Sequence, residues 1–124
     1  MTEAQIQREI IKFLRSIGGA VWHTSQGFRR DPGGTRMTPG LPDLVVMFPE
    51  AWRKHVETER PGFTKLYLAP DGRWTFAEVK TPKGRLSPAQ IVFRDESAKA
   101  GVPWELWRSV EDAAAWARAL GIVE

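Results

Sequence analysis

Two predicted strands carry side chains that could perform hydrolytic chemistry with a metal ion. Asp43 opens the apolar strand 43–48, and Glu78 and Lys80 lie near the end of the strand 73–80. Because alternate residues of a strand face the same side, Glu78 and Lys80 share one face. Two carboxylates that converge at strand ends form an oxygen site for a hard divalent cation such as Mg²⁺. A lysine beside them can orient a water molecule or neutralise charge that develops on a phosphate.

Each of these residues also has a purely structural interpretation. The Glu-x-Lys pattern at Glu78 and Lys80 is short, and it is also typical of an ion pair exposed to water at a strand end. Pro42-Asp43 is equally typical of a turn that precedes a strand. The metal-site interpretation therefore depends on whether strands 43–48 and 73–80 are neighbours in one sheet, as we expect.

A third carboxylate comes from the first predicted helix, residues 2–17. On a helical wheel Glu3 lies about 20° from Ile10, a member of the apolar stripe, at about 100° per residue. Glu9 lies farther from that stripe and is the alternative. Glu3 also has a simpler interpretation, because a carboxylate in the first turn complements the positive end of the helix dipole.

The hydropathy pattern and the turn residues predict the elements that must position these groups. Glycine and proline mark the ends of segments. Thr2 followed by Gln5 matches a capping box at a helix start, and Ser87-Pro88-Ala89-Gln90 has the form of a second one. The predicted order is α-β-β-β-α-β-α, an α/β or α+β sandwich around one mixed sheet. Its elements are helix 2–17, strands 20–24, 43–48 and 73–80, helix 88–100, strand 103–108 and helix 110–120. A helix over 50–60 and a hairpin strand over 64–68 are further predictions.

Composition narrows the classes of function. The 124 residues are the length of one domain, 1–124. With no cysteine there is no disulfide framework, thiolate metal site or cysteine nucleophile, and two histidines cannot build a three-histidine zinc site. The net charge of +3 permits a polyanionic partner without requiring one. No apolar run approaches the ~20 residues of a membrane span, and no secretion signal is visible. We therefore expect an intracellular protein, either cytoplasmic or associated with the nucleoid, and not a secreted one. Whether a phage encodes it is left open.

Six tryptophans are a large number for this length. Trp22, Trp104 and Trp107 lie on predicted strands, and Trp116 lies on the last predicted helix. Core packing is the expected role for most of them, because a buried indole removes a large apolar area from water.

Several of these motifs together resemble one nuclease family. The set Glu3, Pro42-Asp43 and Glu78-Val79-Lys80 resembles the PD-(D/E)XK nuclease superfamily. More narrowly, Gly40-Leu41-Pro42-Asp43, the run 78–87 and Gln90 three residues after Ser87 resemble the VRR-NUC family. The resemblance implies a restriction-endonuclease-like α/β sandwich with a central mixed sheet flanked by helices. It says nothing about an inserted segment at about 49–73.

The resemblance also implies roles for individual residues. Asp43 and Glu78 would bind the catalytic metal, with the backbone carbonyl of Val79 as a further ligand. Lys80 would position the attacking water.

Two further residues of the site follow from the same resemblance. Glu3 would contribute a carboxylate to the metal directly or through water, with Glu9 as the alternative on the same helix. Gln90 would lie close to the active site. It also has a structural interpretation as the capping-box partner of Ser87, and the two roles can coexist.

Basic residues lie in the loops beside the proposed site. The glycine-rich loop 25–41 leads to Asp43, and a short loop follows Lys80. Because lysine and arginine contact DNA phosphates, we expect both loops to bind DNA. The alternative is that these are ordinary solvated loop charges. The residues concerned are Arg29, Arg30 and Arg36 in the first loop and Lys83 and Arg85 in the second.

The function implied is a Mg²⁺-dependent DNA endonuclease, with Mn²⁺ able to substitute. No base-reading module is apparent, so we expect structure-selective or weakly specific cleavage of double-stranded or branched DNA such as junctions or flaps. The small nuclease-only members of the family resemble Holliday junction resolvases, which implies a homodimer, and no membrane partner is expected. The alternative function is a catalytically silent nuclease-fold module that binds DNA or protein.

Overall fold

The computed structural model of the chain describes residues 1–24, 39–48 and 73–123. The predicted helix 50–60, the strand 64–68 and the residues Arg29, Arg30 and Arg36 lie outside this part of the chain. The described elements follow the predicted order: α1 (Glu3–Ser16), β1 (Ala20–His23), β2 (Leu44–Met47), β3 (Trp74–Val79), α2 (Pro88–Ala100), β4 (Trp104–Trp107) and α3 (Val110–Ala119).

The four described strands form one mixed sheet in the order β1-β2-β3-β4. The pairs β1–β2 and β2–β3 are antiparallel, and β3–β4 is parallel. The expected neighbourhood of the two site-bearing strands is therefore confirmed. Leu44 pairs with Ala77, so Asp43, one residue earlier, comes level with Glu78, one residue later. The sheet register alone thus brings the two carboxylates to the same position on adjacent strands.

Helices α1 and α3 cover one face of the sheet and form the core with it. Ala77 and Val79 of β3 are fully buried on this face, as their alternation with Glu78 predicts. The apolar stripe of α1 packs here, and Trp107 and Trp116 meet at a ring distance of 5.6 Å. Burial of this apolar surface provides the main driving force for folding. The core residues from the helices are Ile6, Ile10, Ile11, Leu14, Ala113, Trp116 and Ala117.

The helix ends are built as the sequence predicts. Thr2 and Gln5 form a capping box at the start of α1, and Ser87 and Gln90 form one at the start of α2. Each box satisfies backbone N–H groups that have no partner within the helix. None of the described helices combines the length and the hydrophobicity that crossing a bilayer requires.

Helix α2 lies over the opposite face of the sheet. Its Phe93 packs edge-to-face on Phe76 of β3, with ring centroids 5.5 Å apart. Trp22 of β1 remains 52% exposed, and it is an exception to the core role expected for most of the tryptophans. Glu78 and Lys80 share a side of β3 with Phe76, so the candidate site lies on the α2 side of the sheet.

Candidate metal centre

Three carboxylates from three elements meet at one end of the sheet. Oxygens of Glu3, Asp43 and Glu78 all lie within 4.8 Å of one another. Two ligands that bind a hard cation at about 2.0–2.6 Å can be up to about 5 Å apart, so the spacing suits a shared ion. Of the two carboxylates considered on the first helix, Glu3 lies in this group, whereas Glu9 is exposed.

Asp43 is held in place through both its side chain and its backbone. The N–H of Val79 donates to Asp43 Oδ2 at 3.0 Å. The N–H of Thr24, at the end of β1, donates to the Asp43 carbonyl at 3.0 Å. The buried Thr24 hydroxyl donates to the carbonyl of Pro42. Thr24 was not identified from the sequence, because a threonine at a strand end gives no signal of this contact.

Glu78 is the most buried of the three carboxylates, with only 1% of its surface exposed. Its Oε1 accepts a hydrogen bond from Gln90 Nε2 at 2.9 Å and lies 3.9 Å from Lys80 Nζ. Its Oε2 is buried and has no hydrogen-bond partner among the described residues. A buried oxygen without a partner is costly. A divalent cation between the carboxylates would satisfy it, so the donor set fits a metal ion.

The surroundings of Glu78 favour its neutral form in the protein without metal. Burial raises the pKa of the Glu78 carboxyl to about 8, and the neighbouring Asp43 carboxylate adds to this, whereas Lys80 opposes it. A smaller contribution from Glu3 acts in the same direction as Asp43. A cation placed among these groups would reverse the balance, because it stabilises the ionised carboxylate.

Gln90 contacts both the helix start and the candidate site. Its Oε1 accepts the N–H of Ser87 at 2.7 Å, which closes the capping box. Its Nε2 donates to Glu78. The start of α2 is therefore linked directly to the most buried carboxylate of the site.

Gly40 allows α2 to come this close. Its φ is +78°, and a Cβ on it would lie 2.3 Å from the carbonyl oxygen of Ala89 in the first turn of α2. No side chain fits in that space, and the backbone conformation itself favours glycine. The sequence contained a signal for this role, because Gly40 belongs to the Gly-Leu-Pro-Asp motif.

A short loop after Lys80 carries two of the predicted DNA-binding residues. Lys83 and Arg85 are both exposed. The side chain of Arg108, just beyond β4, donates to carbonyls of this loop at Thr81 and Gly84, at 2.7 Å each. Arg108 was not identified from the sequence, because its contact partners lie more than twenty residues away.

Comparisons with known proteins agree on one family. The VRR-NUC domain model matches residues 23–111, a stretch that contains Asp43, Glu78, Lys80 and Gln90 but not Glu3. A solved structure of a VRR-NUC domain has the same fold, with a TM-score of 0.58 at 18% identity, over 95% of this chain and 97% of that chain. No curated protein matches the chain. Because the family model covers most of the sequence, the chain belongs to the VRR-NUC family.

Proposed function

We propose that this protein is a DNA endonuclease that depends on a divalent metal ion, Mg²⁺ or Mn²⁺. Membership of the VRR-NUC family implies a nuclease-type domain that processes DNA. The observation that supports catalysis is the convergence of three carboxylates around a buried oxygen of Glu78 that has no partner among the described residues. A module that only bound DNA would gain nothing from burying this charge.

The site residues divide the work of phosphodiester hydrolysis. Asp43 and Glu78 would hold the ion, with Glu3 as a third carboxylate directly or through water. When bound, the ion supplies charge stabilisation at the phosphate and an acidified water. Lys80, at 3.9 Å from Glu78, orients the attacking water and adds positive charge where the phosphate gains negative charge.

The backbone of β3 supports a further ligand. The N–H and C=O groups of one strand residue point towards the same neighbouring strand. The Val79 N–H donates to the side chain of Asp43, the residue just before β2. We infer that the Val79 carbonyl faces the same side and can bind the ion.

Exposed cations beside the site favour a polyanionic substrate. Lys83 and Arg85 lie in the loop that follows β3, and both are exposed. We propose that they contact phosphates of double-stranded or branched DNA, together with arginines of the loop 25–41. Selectivity for junctions or flaps and assembly as a homodimer are part of the same proposal, and such an enzyme would act in the compartment that holds DNA.

A cleavage assay tests this function. Four-way junction, flap, single-stranded and linear duplex DNA are incubated with Mg²⁺, with Mn²⁺ and with a chelator. We expect cleavage with either metal, fastest on a branched substrate, and none with the chelator. Glu78→Ala should abolish cleavage, whereas Glu96→Ala, an exposed glutamate on α2, should retain it.

The assay also decides between the two functions considered. A protein that binds these DNAs but leaves all of them intact with both metals would contradict the endonuclease proposal. That result would favour the catalytically silent binding module.

A further inference from the structure

The guanidinium group of Arg108 holds the loop 81–86, which follows Lys80, through hydrogen bonds to its backbone carbonyls. Arg108 Nη1 donates to the carbonyls of Thr81 and Gly84 at 2.7 Å each, and to that of Pro82 at 3.3 Å. The backbone N–H of Arg108 donates to Asp112 Oδ2 at 2.8 Å, which ties Arg108 to the first turn of α3. Three carbonyl oxygens of the loop are therefore gathered on one side, against the positive charge of Arg108.

This arrangement determines where the loop N–H groups point. In a trans peptide the C=O and the following N–H point in opposite directions, and no described peptide bond is cis. Because the carbonyls of Pro82 and Gly84 face Arg108, the N–H groups of Lys83 and Arg85 face away from it. Within the described residues, neither N–H donates to a backbone carbonyl.

The same loop lies against the candidate metal centre. A Cβ placed on Gly84 would be 3.3 Å from the Cβ of Lys80, so the loop folds back onto the Lys80 side chain. The N–H of Lys80 donates to the carbonyl of Trp107, the residue before Arg108, at 3.1 Å. The end of β4 thus positions both Lys80 and the loop.

We propose that Arg108 is a positioning residue that makes this loop a phosphate-binding surface next to the metal centre. The inference rests on the proposed function, because the phosphates are those of the DNA substrate. Carbonyl oxygens would repel a phosphate, and Arg108 holds those of Thr81, Pro82 and Gly84 on its own side of the loop. The surface presented outwards includes two backbone N–H donors and the cationic side chains of Lys83 and Arg85, groups that bind phosphate. Arg108 Nη1 itself is occupied by the loop.

The decisive experiment follows backbone amides by NMR in ¹⁵N-labelled parent protein. A short duplex DNA is added in buffer with a chelator, so that binding proceeds without cleavage. We expect the amide resonances of Lys83 and Arg85 to shift downfield as DNA is bound. Inorganic phosphate is the second probe, and it should shift the same two amides in the same direction at higher concentration.

Variants then assign the effect to Arg108. Arg108→Met should weaken DNA binding at least about tenfold, because the loss of a charge-assisted contact to phosphate corresponds to that factor or more. It should also abolish the downfield shifts at Lys83 and Arg85. The matched control is Arg118→Met, which removes an exposed arginine from α3 and should leave both readouts unchanged.

The outcomes separate this inference from the proposed function. DNA binding by the parent protein without movement of the Lys83 and Arg85 amides would overturn the role of the loop and leave the endonuclease proposal standing. Parental affinity in a folded Arg108→Met variant would do the same. If the variant does not fold, the amide shifts of the parent protein decide the question. A parent protein that binds no DNA would contradict the proposed function and this inference together.

Discussion

At the residue scale, the chemistry of the candidate site is concentrated in Glu78. Burial and the neighbouring Asp43 both oppose its ionisation, and its pKa is raised to about 8. On the proposed function, Glu78 would therefore destabilise the protein without metal and serve as a ligand when metal is bound.

The first prediction concerns stability and pH in the protein without metal. The folded-state pKa of Glu78 exceeds its usual value of 4.5, so the native state binds more protons than the unfolded state between pH 4.5 and about 8. The Glu78 contribution to stability must then fall as pH rises through this window. Glu78→Gln, which is neutral throughout, should gain stability relative to the parent over the same range, by at most about 1.4 kcal/mol per pH unit.

Denaturant unfolding of both proteins from pH 4 to pH 9 measures this difference. Comparing parent with variant cancels the contributions of other titrating groups. Stability curves that run parallel across the whole range would contradict the raised pKa of Glu78.

The second prediction separates water activation from metal binding. Lys80→Met should lower the rate of cleavage at least about 100-fold, the lower limit for loss of a group that assists proton transfer. Its Mn²⁺ affinity should be unchanged or tighter, because a cation 3.9 Å from Glu78 is removed. Calorimetric titration with Mn²⁺ and single-turnover cleavage measure the two quantities.

The control for Lys80 is Lys99→Met, an exposed lysine in the last turn of α2. The Lys99→Met variant should cleave DNA at the parental rate. Cleavage by Lys80→Met at that same rate would contradict the role assigned to Lys80.

The sequence singles out the candidate residues of the site but not the contacts that support them. Asp43 and Glu78 stand out because carboxylates at the ends of apolar strands are unusual. Thr24 and Arg108 do not stand out, because their roles depend on carbonyl groups that only the tertiary fold brings near. The choice between Glu3 and Glu9 also required the structure, since both lie on one helix and only its docking decides which one reaches the sheet.

At the scale of elements, the site depends on how closely α2 approaches the β2 side of the sheet. Gln90 in the first turn of α2 bonds Glu78. Gly40, just before the Asp43 strand, is in contact distance of the same turn. A displacement of α2 would therefore move Gln90 and, through its hydrogen bond, disturb Glu78 in the candidate metal centre.

The third prediction tests this contact. Gly40→Ala should lower the free energy of unfolding by at least about 2 kcal/mol, because it combines a strained positive φ with a steric clash against Ala89. It should also weaken Mn²⁺ binding. Gly101→Ala is the matched control, since Gly101 has a φ of +72° with open space around it and carries the strain alone.

Equal losses of stability in the Gly40 and Gly101 variants would show that the approach of α2 contributes nothing beyond backbone strain. Denaturant unfolding and Mn²⁺ titration of both variants provide the comparison.

The elements themselves were largely predictable, because their signals are local. Apolar stripes and alternation predicted the described helices and strands, and the capping boxes at Thr2 and Ser87 marked the helix starts. The exposure of Trp22 was harder to predict, since it depends on β1 lying at the edge of the sheet that the described strands form. The pairing of Trp22 with Val45 does not by itself reveal whether a helix covers the face of the sheet on which Trp22 lies.

At the scale of the whole molecule, the proposed metal binding would be linked to folding. The three carboxylates belong to α1, to the start of β2 and to β3, and they come together only in the folded chain. A ligand that binds only the native state stabilises it, by about 2.7 kcal/mol at 100 times its Kd. A metal ion bound by the three carboxylates should therefore stabilise the packing of α1 against the sheet.

The fourth prediction follows from this linkage. Saturating Mn²⁺ should raise the Tm of the parent protein by several degrees, about 4–8 °C per kcal/mol for a small domain. Addition of a chelator should reverse the rise, and Glu78→Gln should show little of it. A Tm that does not respond to Mn²⁺ in the parent protein would contradict binding at a site made only by folding.

The most direct test of the metal centre is the anomalous scattering of Mn²⁺ in crystals of the parent protein. The account predicts a peak within about 2.0–2.6 Å of carboxylate oxygens of Asp43 and Glu78, with Glu3 adjacent directly or through a water. Crystals grown with Mn²⁺ that show no peak between these residues, from protein that cleaves DNA in the same buffer, would contradict it.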